Sequence, residues 1–295
     1  MSSSPGRMLK TGSLYFVGRA LKSERLIRQA LEADQLNFQS AEYLYRRGID
    51  ETPLLAFLAR NIGAVRSARD QSSEGRRFVA EICRNLDHYQ SQIFQDVFVL
   101  TMLANKRNGY FVEIGVGDGR TLSNTHMLEK QFGWTGLLAE PNPAFHASIR
   151  AERSALLDTR AVYATTGERL DFAAFGIGGE LSGLTETLRP RADAGNQQTI
   201  QVDTVSLMDL LAHHKAPPVI DYLSVDTEGS EFEILKHLDT SRYLPLTLTV
   251  EHNFDAPRLD ALKALLEPLG YRQVLAAFSR FDIWFVHQSV PKLST

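Results

Sequence analysis

Glu113 stands inside the apolar run Tyr110–Ile114, two residues before the first of three glycines, Gly115, Gly117 and Gly119. Such a stretch predicts a buried strand that stops at a tight turn and feeds a helix. There the missing Cβ atoms let backbone approach a ligand, and free N–H groups face it. Glu140 closes a second apolar run 21 residues after Gly119. That is close to the ~20-residue interval at which nucleotide-binding α/β folds put the carboxylate that grips ribose hydroxyls. The glycines lack the wider final gap of a dinucleotide-binding loop, which sets an oxidoreductase aside. With no pyrophosphate to cradle, an anion at Glu113 suits a cationic amino acid, and the pair of carboxylates together suits S-adenosyl-L-methionine.

Two further strand ends carry acids. The run 220–225 ends in Asp226, followed by Glu228, Gly229 and Glu231; the run 246–250 ends in Glu251 and His252. Ligands of open α/β sheets sit off the carboxyl ends of strands, so Asp226, Glu228 and Glu251 should point at one site. For Glu231, capping of the helix it opens is the competing role. His252, with an unperturbed pKa of about 6.5, suits a general base if its ring faces the pocket; a backbone hydrogen bond within its loop is the alternative. His126 and the His213-His214 pair are less favoured as bases. Asp226, Glu228 and Glu251 could instead gather a divalent ion such as Mg²⁺, orienting a diol and acidifying one hydroxyl. Their spacing is only suggestive, and a metal is not favoured.

The elements that must position these residues alternate. Strands are expected at 110–114, 136–140, 159–163, 170–175, 221–225 and 246–251, with helices at 121–132, 143–151, 205–213, 231–238 and 256–269. A final strand pair, 271–276 and 281–287, has no helix between its members. This predicts an α/β fold with a doubly wound, mostly parallel sheet and a C-terminal antiparallel hairpin. Residues 176–196, rich in glycine and polar side chains, read as a loop in which Arg189 and Arg191 could pair with an anionic acceptor. Upstream, 78–84 and 92–103 read as amphipathic helices. Residues 1–80 form a helical extension or small subdomain with helices near 23–33, 40–47 and 54–62, and a polar boundary at 70–75. The α/β domain occupies 81–295.

Composition narrows the classes. The 295 residues are 43% hydrophobic and 23% charged, ordinary for a globular chain, and no apolar run reaches the ~20 residues that cross a bilayer. The first 23 residues lack acids and read as a flexible leader without an export signal. A single cysteine, Cys83, excludes an intramolecular disulfide and a cysteine zinc site and fits the cytoplasm; its default role is a small buried apolar residue. Residues 1–80 carry net +5 and the remainder −8. The scattered arginines of the first part suit a solvated helical surface, one that could also serve self-association or a partner, and the acidic body argues against nucleic acid.

Several motifs in order resemble the FkbM-type family of S-adenosylmethionine-dependent methyltransferases. They are Ser91-Gln92-Ile93-Phe94-Gln95-Asp96, the loop from Glu113 to Gly119, Ser123-Asn124-Thr125, Leu128-Glu129-Lys130, Gly133-Trp134-Thr135-Gly136, Glu140-Pro141-Asn142-Pro143 and the stretch from Asp221 to Glu231. The resemblance implies a Rossmann-like fold and methyl transfer, commonly to a hydroxyl of a sugar or secondary metabolite. It implies that Glu113 and the backbone of Gly115, Gly117 and Gly119 hold the methionine portion, and that Glu140 accepts the ribose hydroxyls. Asn142 would flank the adenosine, Asp226 would border the methyl-transfer centre, and the Asp96 neighbourhood would close over the methionine end. The adenine edge would meet the loop near 161–165. The expected activity is an O-methyltransferase acting on a sugar, glycan or related polar metabolite. N-methylation of an amine or peptide, and a non-catalytic scaffold that keeps the pocket, are the alternatives.

Overall fold

A computed structural model describes residues 73–85, 88–175, 182–187 and 197–292. The leader, the helices expected before residue 72, Arg189, Arg191, most of the loop at 176–196 and the side chain of Cys83 lie outside the described residues.

The frame is a seven-stranded sheet. Strand β1 (Tyr110–Ile114) pairs in parallel with β2 (Thr135–Ala139) on one side and β8 (Val219–Val225) on the other. Outward from β2 lies β3 (Leu156–Asp158); outward from β8 lie β9 (Leu244–Glu251), β11 (Asp282–His287) and β10 (Tyr271–Gln273). The first five run parallel, whereas β11 is antiparallel to β9 and β10, as expected of the closing strand pair.

Central parallel strands are buried on both faces, and alternation sends their side chains into two cores. Phe111, Leu138, Tyr222 and Trp284 enter one core, with Phe78 of α1 (Ser73–Arg84), Phe98 of α2 (Gln95–Met102), Leu128 of α3 (His126–Phe132) and Ile149 of α4 (Pro143–Glu152). Val112, Leu137, Leu223 and Phe285 enter the other, with Leu210 of α5 (Leu207–His213), Ile234 of α6 (Glu231–Leu235) and Leu262 of α7 (Ala256–Leu266). Helix α1 begins inside the polar stretch at 70–75 and is fastened to the sheet layer. Phe78 meets Phe278 and Trp284 edge-on at 5.1 and 5.5 Å, and Glu74 pairs with Arg272 at 2.6 Å.

Four departures from the expected elements have local causes. The helix expected from 121 starts only at His126, because residues 123–125 are drawn onto the Glu113 carboxylate. The strand expected at 159–163 starts only at Ala161, behind a separate β3: Asp158 binds the Arg160 N–H and guanidinium, turning the chain from β3 into β4 (Ala161–Tyr163) of another sheet. That second sheet runs β4, β7 (Gln197–Ser206), β5 (Arg169–Phe175), β6 (Gly183–Leu184). Residues 205–213 are not one helix: 197–206 form strand β7, and α5 begins after Ser206, whose hydroxyl caps the N–H of Asp209. Finally β10 stops at Gln273, and Ala276–Ser279 form a short helix, α8.

Candidate active site

The parallel strands end at one edge, and the register fixes what meets there. Ile114 lies beside Ala139 and Val225, and Val225 beside Val250, so the residues that follow converge. Because β11 is antiparallel, its first residue, Asp282, lies opposite Glu251 at the same edge. The chain leaves β1 toward β2 but later returns as β8 on its other side, so this edge holds the topological switch point at which such sheets bind ligands.

An open cavity of about 290 Å³ occupies it, near the ~300 Å³ lower end of small-molecule sites. Of the residues singled out in the sequence, Glu113, Gly115, Gly117, Glu140, Asp226 and Glu251 line it. Gly119, Asn142 and His252 stand outside the wall. A Cβ at Gly119 would press on Ile149 of α4, 3.1 Å away. Asn142 caps α4 at the Ala144 N–H and donates to Ser182. His252 is buried behind Glu251 and Asn253, and burial lowers its pKa. Asp96 is likewise sunk in structure: its carboxylate takes the Ser91 hydroxyl at 2.5 Å and the Gln90 and Val97 N–H groups, and burial pushes its pKa up to about 6.

Two glycines explain the loop. Gly115 has φ +83°, and a Cβ there would lie 1.6 Å from the Asp226 carbonyl oxygen, so only glycine lets β1 and β8 end this close. At Gly117, φ +60°, a Cβ would meet nothing within 4 Å and would stand in open space beside the cavity.

Glu140 accepts the Val116 and Gly117 N–H groups on one oxygen, at 3.0 and 2.9 Å, and the Asn142 N–H on the other at 2.8 Å. Burial, against these bonds and with Glu113 nearby, pushes its carboxyl up to about 7. Glu113 accepts from the Asn124 N–H at 2.7 Å and from the Ser123 and Thr125 hydroxyls, with Arg153 at 3.7 Å. The sequence offers no local signal for Arg153. Its fully buried guanidinium also binds Glu129, the Gly119 carbonyl and the Thr125 hydroxyl.

Across the cavity, carboxylate oxygens of Asp226, Glu228 and Glu251 lie within 4.8 Å of one another, a set able to hold a hard cation. Burial and the surrounding acids, Glu251 first, raise the Asp226 carboxyl well above the usual range. Beneath them Asp282 takes the Gln95 amide at 2.9 Å, and burial pushes it up to about 7. Like Glu113, Asp282 is a lone acid in an apolar run, a signal available in the sequence. The other end of the cavity is apolar, built by Val162, Phe172, Leu184 and Phe145.

Residues 113–273, more than half of the chain, match the family model described as Methyltransferase FkbM domain. The chain belongs to the FkbM methyltransferase family. It is therefore an S-adenosylmethionine-dependent methyltransferase. A similar solved structure is precorrin-6y C5,15-methyltransferase from Geobacter metallireducens GS-15, 15% identical with a TM-score of 0.36, over 68% of this chain and 88% of that one. No curated protein matches the chain. The residues present fit that cofactor: an open cradle at Gly117, a carboxylate at Glu140 and an apolar end formed by Val162, Phe172 and Leu184. No described helix is long and apolar enough to cross a membrane.

Proposed function

We propose that this methyltransferase modifies a hydroxyl of a sugar, glycan or related polar metabolite, with Asp226 receiving the hydroxyl proton. The observation that carries the reading is the carboxylate set at the ends of β8 and β9, in the cavity wall and next to Gly115. S-adenosylmethionine supplies an electrophilic methyl; the protein has to orient an oxygen and take its proton. Carboxylates accept hydrogen bonds from hydroxyls, and a carboxyl with a raised pKa is a stronger base once ionised. Asp226 has that character, whereas His252 is buried outside the wall. Glu251 supports Asp226 electrostatically and shares the hydroxyl contacts.

On the cofactor side, Glu140 accepts three N–H bonds, and a carboxylate has roughly four acceptor sites. One is left on the oxygen facing Asn142, and we assign it to the ribose. The apolar end at Val162, Phe172 and Leu184 takes the nucleobase. Glu113 acts by fixing residues 123–125 beside the glycine loop, and Asn142 by starting α4. A cytoplasmic location belongs to the same reading. The acidic set would also attract a cationic amine, which keeps N-methylation as the second reading.

The test is incubation with labelled S-adenosylmethionine and fractionated polar metabolites, following label into products. We expect label in hydroxyl acceptors, and Asp226→Asn to cut turnover about 10²–10⁴-fold with cofactor affinity kept. Label only in amines, or full activity in Asp226→Asn, overturns the proposal. Repeating the assay with a chelator separates a protein base from a metal-activated hydroxyl.

A further inference from the structure

Among the described residues, the large apolar side chains most open to solvent are Leu156, Val219 and Phe254. The first two begin β3 and β8, at the sheet edge away from the cavity. Phe254 alone adjoins the cavity wall, next to its residue Asn253 in the turn after β9, with 63% of its surface exposed. Its backbone is in the left-handed region at φ 59°, and so is that of Asn253 at φ 51°. Glu228 and Arg280, on neighbouring segments of the same rim, share the feature at φ 60° and 51°. A bulky residue held at positive φ costs on the order of 1–3 kcal/mol and persists where the surroundings over-determine it. Here they do. The His252 and Asn253 N–H groups both donate to the Phe281 carbonyl, at 2.8 and 2.9 Å, lacing the two segments together. The Phe254 ring meets the Phe281 ring edge-on at 6.2 Å, and the Arg280 guanidinium lies 5.9 Å from its centre. Phe281 and Asn253 are themselves cavity wall.

We propose that Phe254 and Phe281 are the acceptor's seat. The C–H face of a saturated, hydroxylated ring stacks on this platform, and its hydroxyls reach Asp226, Glu228 and Glu251. An aromatic face is electron-rich and attracts the weakly positive C–H groups of such a ring, while the carboxylates accept from its hydroxyl edge. A sugar ring carries both surfaces and so engages the rings and the acids together. The assignment rests on the hydroxyl-acceptor reading above and adds to it the residues that recognise the ring.

The test uses the full chain saturated with S-adenosylhomocysteine and a panel of methyl glycosides of hexoses, 6-deoxyhexoses, pentoses and hexuronic acids, followed by saturation-transfer NMR. We expect transfer to the C–H protons of one ring face. Phe254→Ala should weaken it about tenfold or more, Phe254→Trp should restore it, and S-adenosylhomocysteine affinity by calorimetry should stay constant in both. Undiminished glycoside binding in Phe254→Ala, or a parallel loss of S-adenosylhomocysteine affinity, overturns the platform and leaves the sugar reading standing. No transfer to any glycoside in the unaltered chain overturns the sugar reading and the platform with it.

Discussion

Gly115 and Gly117 are two residues apart and carry the same side chain for different reasons, which makes them separable by experiment. Alanine at Gly115 would put a carbon 1.6 Å from the Asp226 carbonyl oxygen, an overlap that only displacement of β1 from β8 can relieve. We expect Gly115→Ala to fail to fold cooperatively in thermal melts. Alanine at Gly117 meets nothing within 4 Å, so its cost to the fold is the left-handed backbone, about 1–2 kcal/mol, and its methyl narrows the cavity. Calorimetry should show cofactor affinity down by about tenfold or more in a protein that still melts cooperatively. Glu140→Gln belongs to the same scale. The Val116 and Gly117 N–H groups need an acceptor, and an amide offers one oxygen where the carboxylate offers two. The amide oxygen would stay with that pair, and an NH₂ would replace the oxygen that takes the Asn142 N–H and, in our proposal, a ribose hydroxyl. Losing that acceptor should lower cofactor affinity about 10–100-fold, a hydrogen bond to a charged group being worth about 1.5–3 kcal/mol. An unchanged affinity would remove Glu140 from the binding site.

At the scale of elements, the loop from Gly119 to Thr125 shows what sequence could and could not reveal. Glycine spacing, the apolar run before it and the interval to Glu140 were legible, because a buried parallel strand and a φ-positive turn each leave a local signature. The same holds for β8, β9 and the closing antiparallel pair. The loop's true partner was not legible. Arg153 stands 34 residues from Gly119, whose carbonyl it binds, and no spacing rule links an arginine at a helix end to a turn across the sheet. For the same reason the helix expected from 121 was too long: its propensity is local, but the pull of Glu113 on 123–125 is tertiary. Strand β7 had a signal, exposed Gln201 and Asp203 alternating with buried Val202 and Thr204, yet its partners β5 and β4 lie far off in sequence. His252 illustrates a further limit, since a strand end predicts position but not which way the last side chain turns. These contacts make Arg153→Met a sharp test. The substitution leaves Glu113 and Glu129 buried beside an apolar side chain, and breaking a buried pair from one side costs about 3–5 kcal/mol. We expect a lower denaturation midpoint, and hydrogen exchange should quicken at 120–126 before the rest of the sheet. Uniform exchange along the chain would show that Arg153 does not fasten this loop.

For the whole molecule, the acids collected at one sheet edge set how stability responds to pH. Asp96 is raised to about 6, Glu140 to about 7 and Asp282 to about 7, and Asp226 is raised as well, with burial the first cause for each. A carboxyl that holds its proton more tightly folded than unfolded favours the native state while protonated, and that advantage is lost as pH climbs from the unfolded value toward the folded one. The ligand-free protein should therefore lose stability between about pH 4 and 7. Asp158, held near 2 with Arg160 and His214 as partners, works in the opposite sense and only below about pH 4. Each pH unit of mismatch per group is worth about 1.4 kcal/mol, or about 3–6 °C in a domain of about this size, so the decline should be plain in thermal melts. The cofactor reverses it, because binding the ionised form of Glu140 pulls that carboxyl's proton off. The stabilisation given by S-adenosylhomocysteine should grow from pH 6 to 8, and affinity should fall below about pH 7. In Glu140→Gln the pH dependence of the ligand-induced shift should flatten while the slope of the ligand-free protein persists in part, carried by Asp96, Asp226 and Asp282. If the ligand-free protein were instead most stable near pH 8, these carboxyls could not be sharing one dry edge of the sheet.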